Sequence, residues 1–135
     1  MTEITPGQKG LARQAFERVA PMADSLALLF YARLFEVAPY LRPLFHVDLE
    51  ELGHSLMAML QLCMEALDAR EDLVYALSNL GARHVEYGAR PQDYGPVKAT
   101  LVWTMQQGLG SEWNAEYEDA LEAVFGMIVD LMQPK

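Results

Sequence analysis

The stretch "SLALLFYARLF", Ser25 to Phe35, is apolar almost all the way round a helical wheel. A helix without a polar face is not a surface helix; it has to be sandwiched between others. The chain must therefore supply further helices to cover it. The first of these opens at "TPGQ", where Thr5 can cap, Pro6 fits the first helical position and Gln8 can reach back to the free amide. Leu11, Ala15, Phe16 and Val19 form its apolar stripe, and Pro21 lies just beyond it.

In "EVAPYLRPLFHVD", Pro39 and Pro43 break regular helix and bias the residues before them away from it. The segment reads as a corner that carries Leu44 and Phe45 inward. Asp48 with Glu51 reads as a second cap, opening a helix to about Leu67 with the stripe Leu49, Leu52, Leu56, Met59, Leu60, Cys63 and Leu67. "DARED", Asp68 to Asp72, is a polar connection. The next helix runs from about Asp72 to Tyr87 and can end at Gly88. "ARPQD" then turns the chain into a helix carrying Tyr94, Val97, Leu101 and Met105 on one face, ended by Gly108 and Gly110. Asn114 can cap a last helix whose Leu121, Val124, Phe125, Ile128 and Met132 face inward. No strand-like alternation or repeat interrupts this pattern. With 135 residues the expectation is one all-α domain, residues 1–135, of about six main helices around one core.

One position breaks the pattern. In "LGARHVEYG" the row Leu73, Leu77, Leu80 continues through His84 to Tyr87, so an imidazole stands where a leucine would complete a buried face. Each ring nitrogen then needs a partner, and leaving one without costs about 1–3 kcal/mol. A lone histidine of this kind is more often a core residue bonded to backbone than a metal ligand. The residues themselves leave both readings open, along with a third in which the chain is a plain helical interaction module.

Charge and cysteine content narrow the field. Nineteen Asp+Glu against ten Lys+Arg give a formal charge of −9, which repels nucleic-acid phosphates and anionic lipid heads, so neither is an expected partner. Cys63 is the single cysteine and suits a reducing compartment. "MTEITPGQKG" is polar, and no stretch approaches the roughly 18 uninterrupted apolar residues of a membrane span. The expected location is the cytoplasm.

Taken in order, "FYARLF", the corner "PYLRPLF", "ARHVEYG" and "DYGPV" resemble the globin family, specifically single-domain bacterial haemoglobins and the haem domains of flavohaemoglobins. The resemblance covers nearly the whole chain. It implies the three-on-three helical sandwich of globins, closed around haem b. His84 matches the proximal ligand that binds the iron through one ring nitrogen, a common axial arrangement. Its other nitrogen is expected to donate to a backbone carbonyl, that of Leu80 one turn earlier, which would fix the ring's orientation. Phe45 matches the corner phenylalanine that wedges the porphyrin. Tyr31 matches a distal tyrosine whose hydroxyl can donate to a bound ligand. Leu52 falls where relatives usually carry glutamine or histidine, with Leu56 one turn on as a second pocket-lining position. Tyr94 matches a tyrosine beside the proximal histidine, Val97 lines the same helix, and Arg83 can pair with a haem propionate; Arg90 and His46 are weaker candidates for that task.

The implied function is reversible binding of dioxygen, and of nitric oxide or carbon monoxide, at a five-coordinate ferrous iron. The departures bear on the alternatives. Leu52 cannot donate a hydrogen bond, so Tyr31 is the one obvious distal donor. Flavohaemoglobins pair the proximal histidine with a glutamate late in the last helix; the sequence runs to Lys135 without reaching that position, and the expectation is a globin-like domain with no reductase domain. Nitric oxide dioxygenation leaves ferric iron at each turnover, so that activity would need a separate reductase as partner; a gas-sensor role would need a signalling partner. His54, two residues past Leu52, should point to solvent rather than to the iron.

Overall fold

The computed structural model describes residues 4–46 and 48–133. Among them the chain forms six α-helices and no strand: α1 (Pro6–Val19), α2 (Ala23–Val37), α3 (Leu49–Glu65), α4 (Arg70–Glu86), α5 (Tyr94–Leu109) and α6 (Ala115–Met132). Helices α1, α3 and α4 form one layer and α2, α5 and α6 the other: α1 meets α3 in the first, and α5 meets both α2 and α6 in the second. Across the layers α1 meets α5 and α6, α2 meets α3, and α4 meets α6. This is the three-on-three arrangement.

The helix starts reflect local chemistry. Thr5 accepts from the Gln8 amide at 3.1 Å while the Gln8 side chain accepts from the Thr5 amide at 3.0 Å, the reciprocal pair expected of "TPGQ". Asn114 caps α6 by accepting from the Tyr117 amide at 2.9 Å. Asp48 corrects the reading: it precedes α3 without a side-chain capping bond, and Glu50 and Glu51 in the first turn face the helix dipole instead. Likewise α4 starts at Arg70 rather than Asp72, because Glu71 and Asp72 suit a first helical turn as well as they suit a loop. The preceding helix stops at Glu65, two residues short of Leu67.

Helix α2 is held between α3 and α5, burying Leu26, Ala27, Phe30, Tyr31 and Leu34. Enclosure is incomplete, however: Leu28 is 49% exposed and Val37 48%. Two neighbouring helices cover two flanks of a cylinder, and the third flank stays open. Phe125, Leu34, Leu60, Met64, Leu77 and Leu121 are among the most enclosed large side chains, with Val19 and Val124, and Phe16 of α1 meets Phe125 of α6 edge-on at 6.2 Å. Arg13 of α1 donates to the Met64 carbonyl at 2.9 Å, occupying an acceptor in the last turn of α3. Its guanidinium and the Lys9 ammonium both bind Asp68, which holds that carboxyl below its ordinary range.

Two glycines mark where helices come closest. A Cβ on Gly53 would stand 2.9 Å from that of Ala27, so α3 crosses α2 at that point. Gly108 corrects an expectation: it lies inside α5 rather than ending it, because a Cβ there would stand 2.8 Å from Leu26 Cδ1 and 2.9 Å from Val19 Cγ1. Gly110, at φ 55°, comes directly after the helix. No helix among the described residues is long and apolar enough to cross a membrane.

Candidate haem site

The His84 ring sits in the last turn of α4, half-buried, with Nδ1 donating to the Leu80 carbonyl at 2.8 Å. A carbonyl only accepts, so the proton is on Nδ1 and the lone pair is on Nε2. That tautomer is the one a metal ligand needs. Leu73 and Leu77 of the same row are buried, and Leu80 is half-buried. Tyr87 departs from the expected face. It is 63% exposed, because the helix ends there and Gly88, at φ 103°, turns the chain away.

The second group stands on α2, the corner and α3. Tyr31, 5% exposed, packs edge-on against Phe45 at 5.6 Å and against Phe30 at 5.0 Å, and stacks with Phe35 at 6.1 Å. Phe35 and Phe45 meet at 5.3 Å. The corner itself is the 3-10 turn Pro39–Leu44, whose end Arg42 secures by donating to the Phe45 carbonyl at 3.1 Å. The Tyr31 hydroxyl donates to the Leu52 backbone carbonyl at 3.4 Å, a long bond at the edge of the useful range. Tyr31, Phe45 and Leu52 are thereby brought together. Phe30 and Phe35 complete the cluster; their place in "LLFYARLF" one residue before and four after Tyr31 was the available signal.

The two groups are joined where the turn after α4 meets the corner. A Cβ on Gly88 would stand 3.1 Å from Leu44 Cδ2, and the Arg90 guanidinium lies 5.8 Å from the Tyr40 ring centre. Arg90 is itself held by Asp93, its amide reaching the carboxylate at 2.9 Å and its guanidinium at 3.2 Å. Next to that buried carboxylate, Tyr94 is 7% exposed, and its hydroxyl has no hydrogen-bond partner among the described residues. Leu56 and Val97 are half-buried against the core. Arg83 is exposed and forms no ion pair among the described residues, and His46 is exposed. His54 pairs with Asp24 at 3.1 Å on the surface, away from the cluster.

Burial sets the protonation of the enclosed acids. It pushes the Tyr31 hydroxyl up to about 12 and the Cys63 thiol up to about 11; Tyr94 is raised by burial and then by the Asp93 charge. Tyr31 is therefore a hydrogen-bond donor throughout the ordinary pH range. Because these folded values lie above the unfolded ones, the stabilisation is complete below pH 9 and is lost as pH rises toward 12. The expected outcome on the alkaline side is a melting temperature that falls as pH rises from 9 toward 12. Cys63→Ala should remove the earliest part of that fall, which thermal melts at graded pH will show.

The residues fit a haem. No group of three or more His, Cys, Asp or Glu among the described residues could hold a bare metal ion. A single Nε2 lone pair is nevertheless enough where a porphyrin supplies the remaining nitrogens. Phe45, Leu52, Leu56, Leu80 and Val97 are apolar, half-buried and packed against the core.

Comparison with known proteins agrees. The globin family model matches residues 28–132. The chain is 25% identical to the anaerobic nitrite reductase HBII of Casuarina glauca over 93% of its length and 88% of that protein. It is 25% identical to the flavohemoprotein of Bordetella pertussis over 96% of its length, spanning 33% of that longer protein. An engineered carbene transferase from Rhodothermus marinus, a candidate nitric oxide dioxygenase, superposes with a TM-score of 0.86 at 20% identity, covering 96% of this chain and 91% of that one. Six helices in two layers, an imidazole presented by α4 and a family match across 28–132 place the chain in the globin family.

Proposed function

We propose that the chain is a haem-b globin that reversibly binds dioxygen, and nitric oxide or carbon monoxide, with His84 as the axial ligand. The observation that carries this reading is the Nδ1 bond to Leu80, which leaves Nε2 as a lone-pair donor on a half-buried ring. Haem, when bound, supplies the iron at which diatomic gases coordinate. The chain's own contribution is to orient one imidazole, to wall the pocket with Phe45, Leu52, Leu56 and Val97, and to hold a protonated Tyr31 hydroxyl on the α2–α3 side. Tyr94 contributes a buried hydroxyl from the start of α5, and Arg83 an exposed cation for a propionate.

The test is an absorption titration of haem-reconstituted, full-length protein. Reduced protein should shift its Soret band on adding carbon monoxide and show a five-coordinate spectrum before it. An unchanged band would sink the assignment.

A second reading is supported by the likeness to a flavohemoprotein and to a candidate nitric oxide dioxygenase. The chain would then oxidise nitric oxide to nitrate with dioxygen, taking electrons from a separate flavin reductase. Sustained nitrate formation with such a reductase would establish it, whereas a single turnover without recycling leaves the gas-binding reading in place.

A further inference from the structure

The geometry points to Gly81 and the end of α6 as the positioning device for His84; this rests on His84 being the axial ligand. Among the described residues, helix α4 shares substantial contact with one other helix, α6. Whatever fixes His84 relative to the rest of the pocket therefore acts through that seam. Its closest point is Gly81, where a Cβ would stand 1.7 Å from the Met132 carbonyl oxygen, 2.5 Å from its carbon and 2.9 Å from its Cα. These are backbone atoms, so no side chain can rotate out of the way. The oxygen lies where the glycine's own hydrogen points, a Cα–H···O contact at a helix crossing.

This contact bears directly on the imidazole. Gly81 shares a peptide group with Leu80, and the carbonyl of that group is the one that accepts the His84 Nδ1 proton. Seating Gly81 on Met132 thus fixes the acceptor that orients the ring. Leu73 and Leu77 of α4 are buried in the core, and beside the contact Val74, Ser78, Ala82 and Val85 of α4 and Leu131, Met132 and Gln133 line an open cavity of about 380 Å³. The close contact is backbone against backbone with a gap alongside, so a side chain added there displaces a helix instead of a neighbouring side chain.

An alanine at position 81 has to reach beyond 3.0 Å from an oxygen now 1.7 Å away, so α4 or the end of α6 must shift by more than an ångström. The test is resonance Raman spectroscopy of the reduced, haem-reconstituted full chain carrying Gly81→Ala. Its iron–imidazole stretching band should move, haem should leave about tenfold faster, and in the haem-free chain amide exchange along α4 should accelerate. Two glycine variants separate positioning from general destabilisation. Gly108→Ala, whose Cβ meets the side chains of Leu26 and Val19, should lower the melting temperature without moving the band. Gly95→Ala, with open space around it, should change neither adversely.

A band that stays put in Gly81→Ala, or moves equally in Gly108→Ala, overturns the proposal. Should Gly81→Ala fail to fold, Leu131→Ala loosens the same seam from α6 without adding atoms, and it too must move the band; an unmoved band is equally fatal. A band absent from the unsubstituted protein, or surviving His84→Ala, removes the ligand assignment and the positioning role with it. A band that depends on His84 but ignores position 81 removes the positioning role alone.

Discussion

His84→Ala should leave a folded chain that no longer retains haem. The ring is half-buried and its one hydrogen bond, to Leu80, is worth about 1 kcal/mol to the fold, so the melting temperature of the haem-free protein should barely change. Holding the cofactor is another matter. Removing only the partner that orients a metal-bound histidine typically costs 10–100-fold in affinity, so losing the ligand itself should accelerate haem release by more than about a hundredfold. Transfer of haem to an excess of acceptor protein, monitored by stopped-flow absorption, measures this. Added imidazole should restore part of the original spectrum by occupying the space the side chain vacates. Unchanged haem retention in the variant would mean that another residue holds the iron.

Tyr31→Phe should accelerate dioxygen dissociation by about one to two decades, the equivalent of the roughly 1.5–3 kcal/mol carried by a donor to a charged or strongly polarised acceptor. The substitution keeps the ring and so keeps its packing on Phe30, Phe35 and Phe45. It removes one hydroxyl whose resting bond, 3.4 Å to the Leu52 carbonyl, is long enough to give up for a better acceptor. Fold stability should therefore change by less than about 1 kcal/mol. Carbon monoxide, a poor hydrogen-bond acceptor, should leave at nearly its original rate. Laser photolysis and stopped-flow displacement give both rates, and an unchanged dioxygen rate would show that the hydroxyl stays on Leu52.

What the sequence reveals of this fold is whatever depends on near neighbours. The Thr5–Gln8 and Asn114–Tyr117 caps, the Leu80–His84 bond and the positive φ of Gly88 are each set by residues within a few positions of one another. The candidate site residues stand out for a different reason: an imidazole in a leucine row and an aromatic run before a proline corner are unusual enough to draw attention. What escaped depends on residues far apart in the chain. Gly108 looks like a helix stop until Leu26 and Val19 are known to lie against it, and Gly81 looks ordinary until Met132 does. The exposure of Leu28 depends on which flanks the neighbouring helices leave open, and periodicity says nothing of that. Asp48 has a capping residue's chemistry and lacks the bond, because composition at a helix start permits a cap without compelling one.

The acceptor that parks the Tyr31 hydroxyl is main chain. Side-chain identity at position 52 is thus released from polar duty. On the proposed gas-binding reading, bulkier or smaller apolar residues there would retune the volume offered to an incoming molecule without evicting the phenol from its berth.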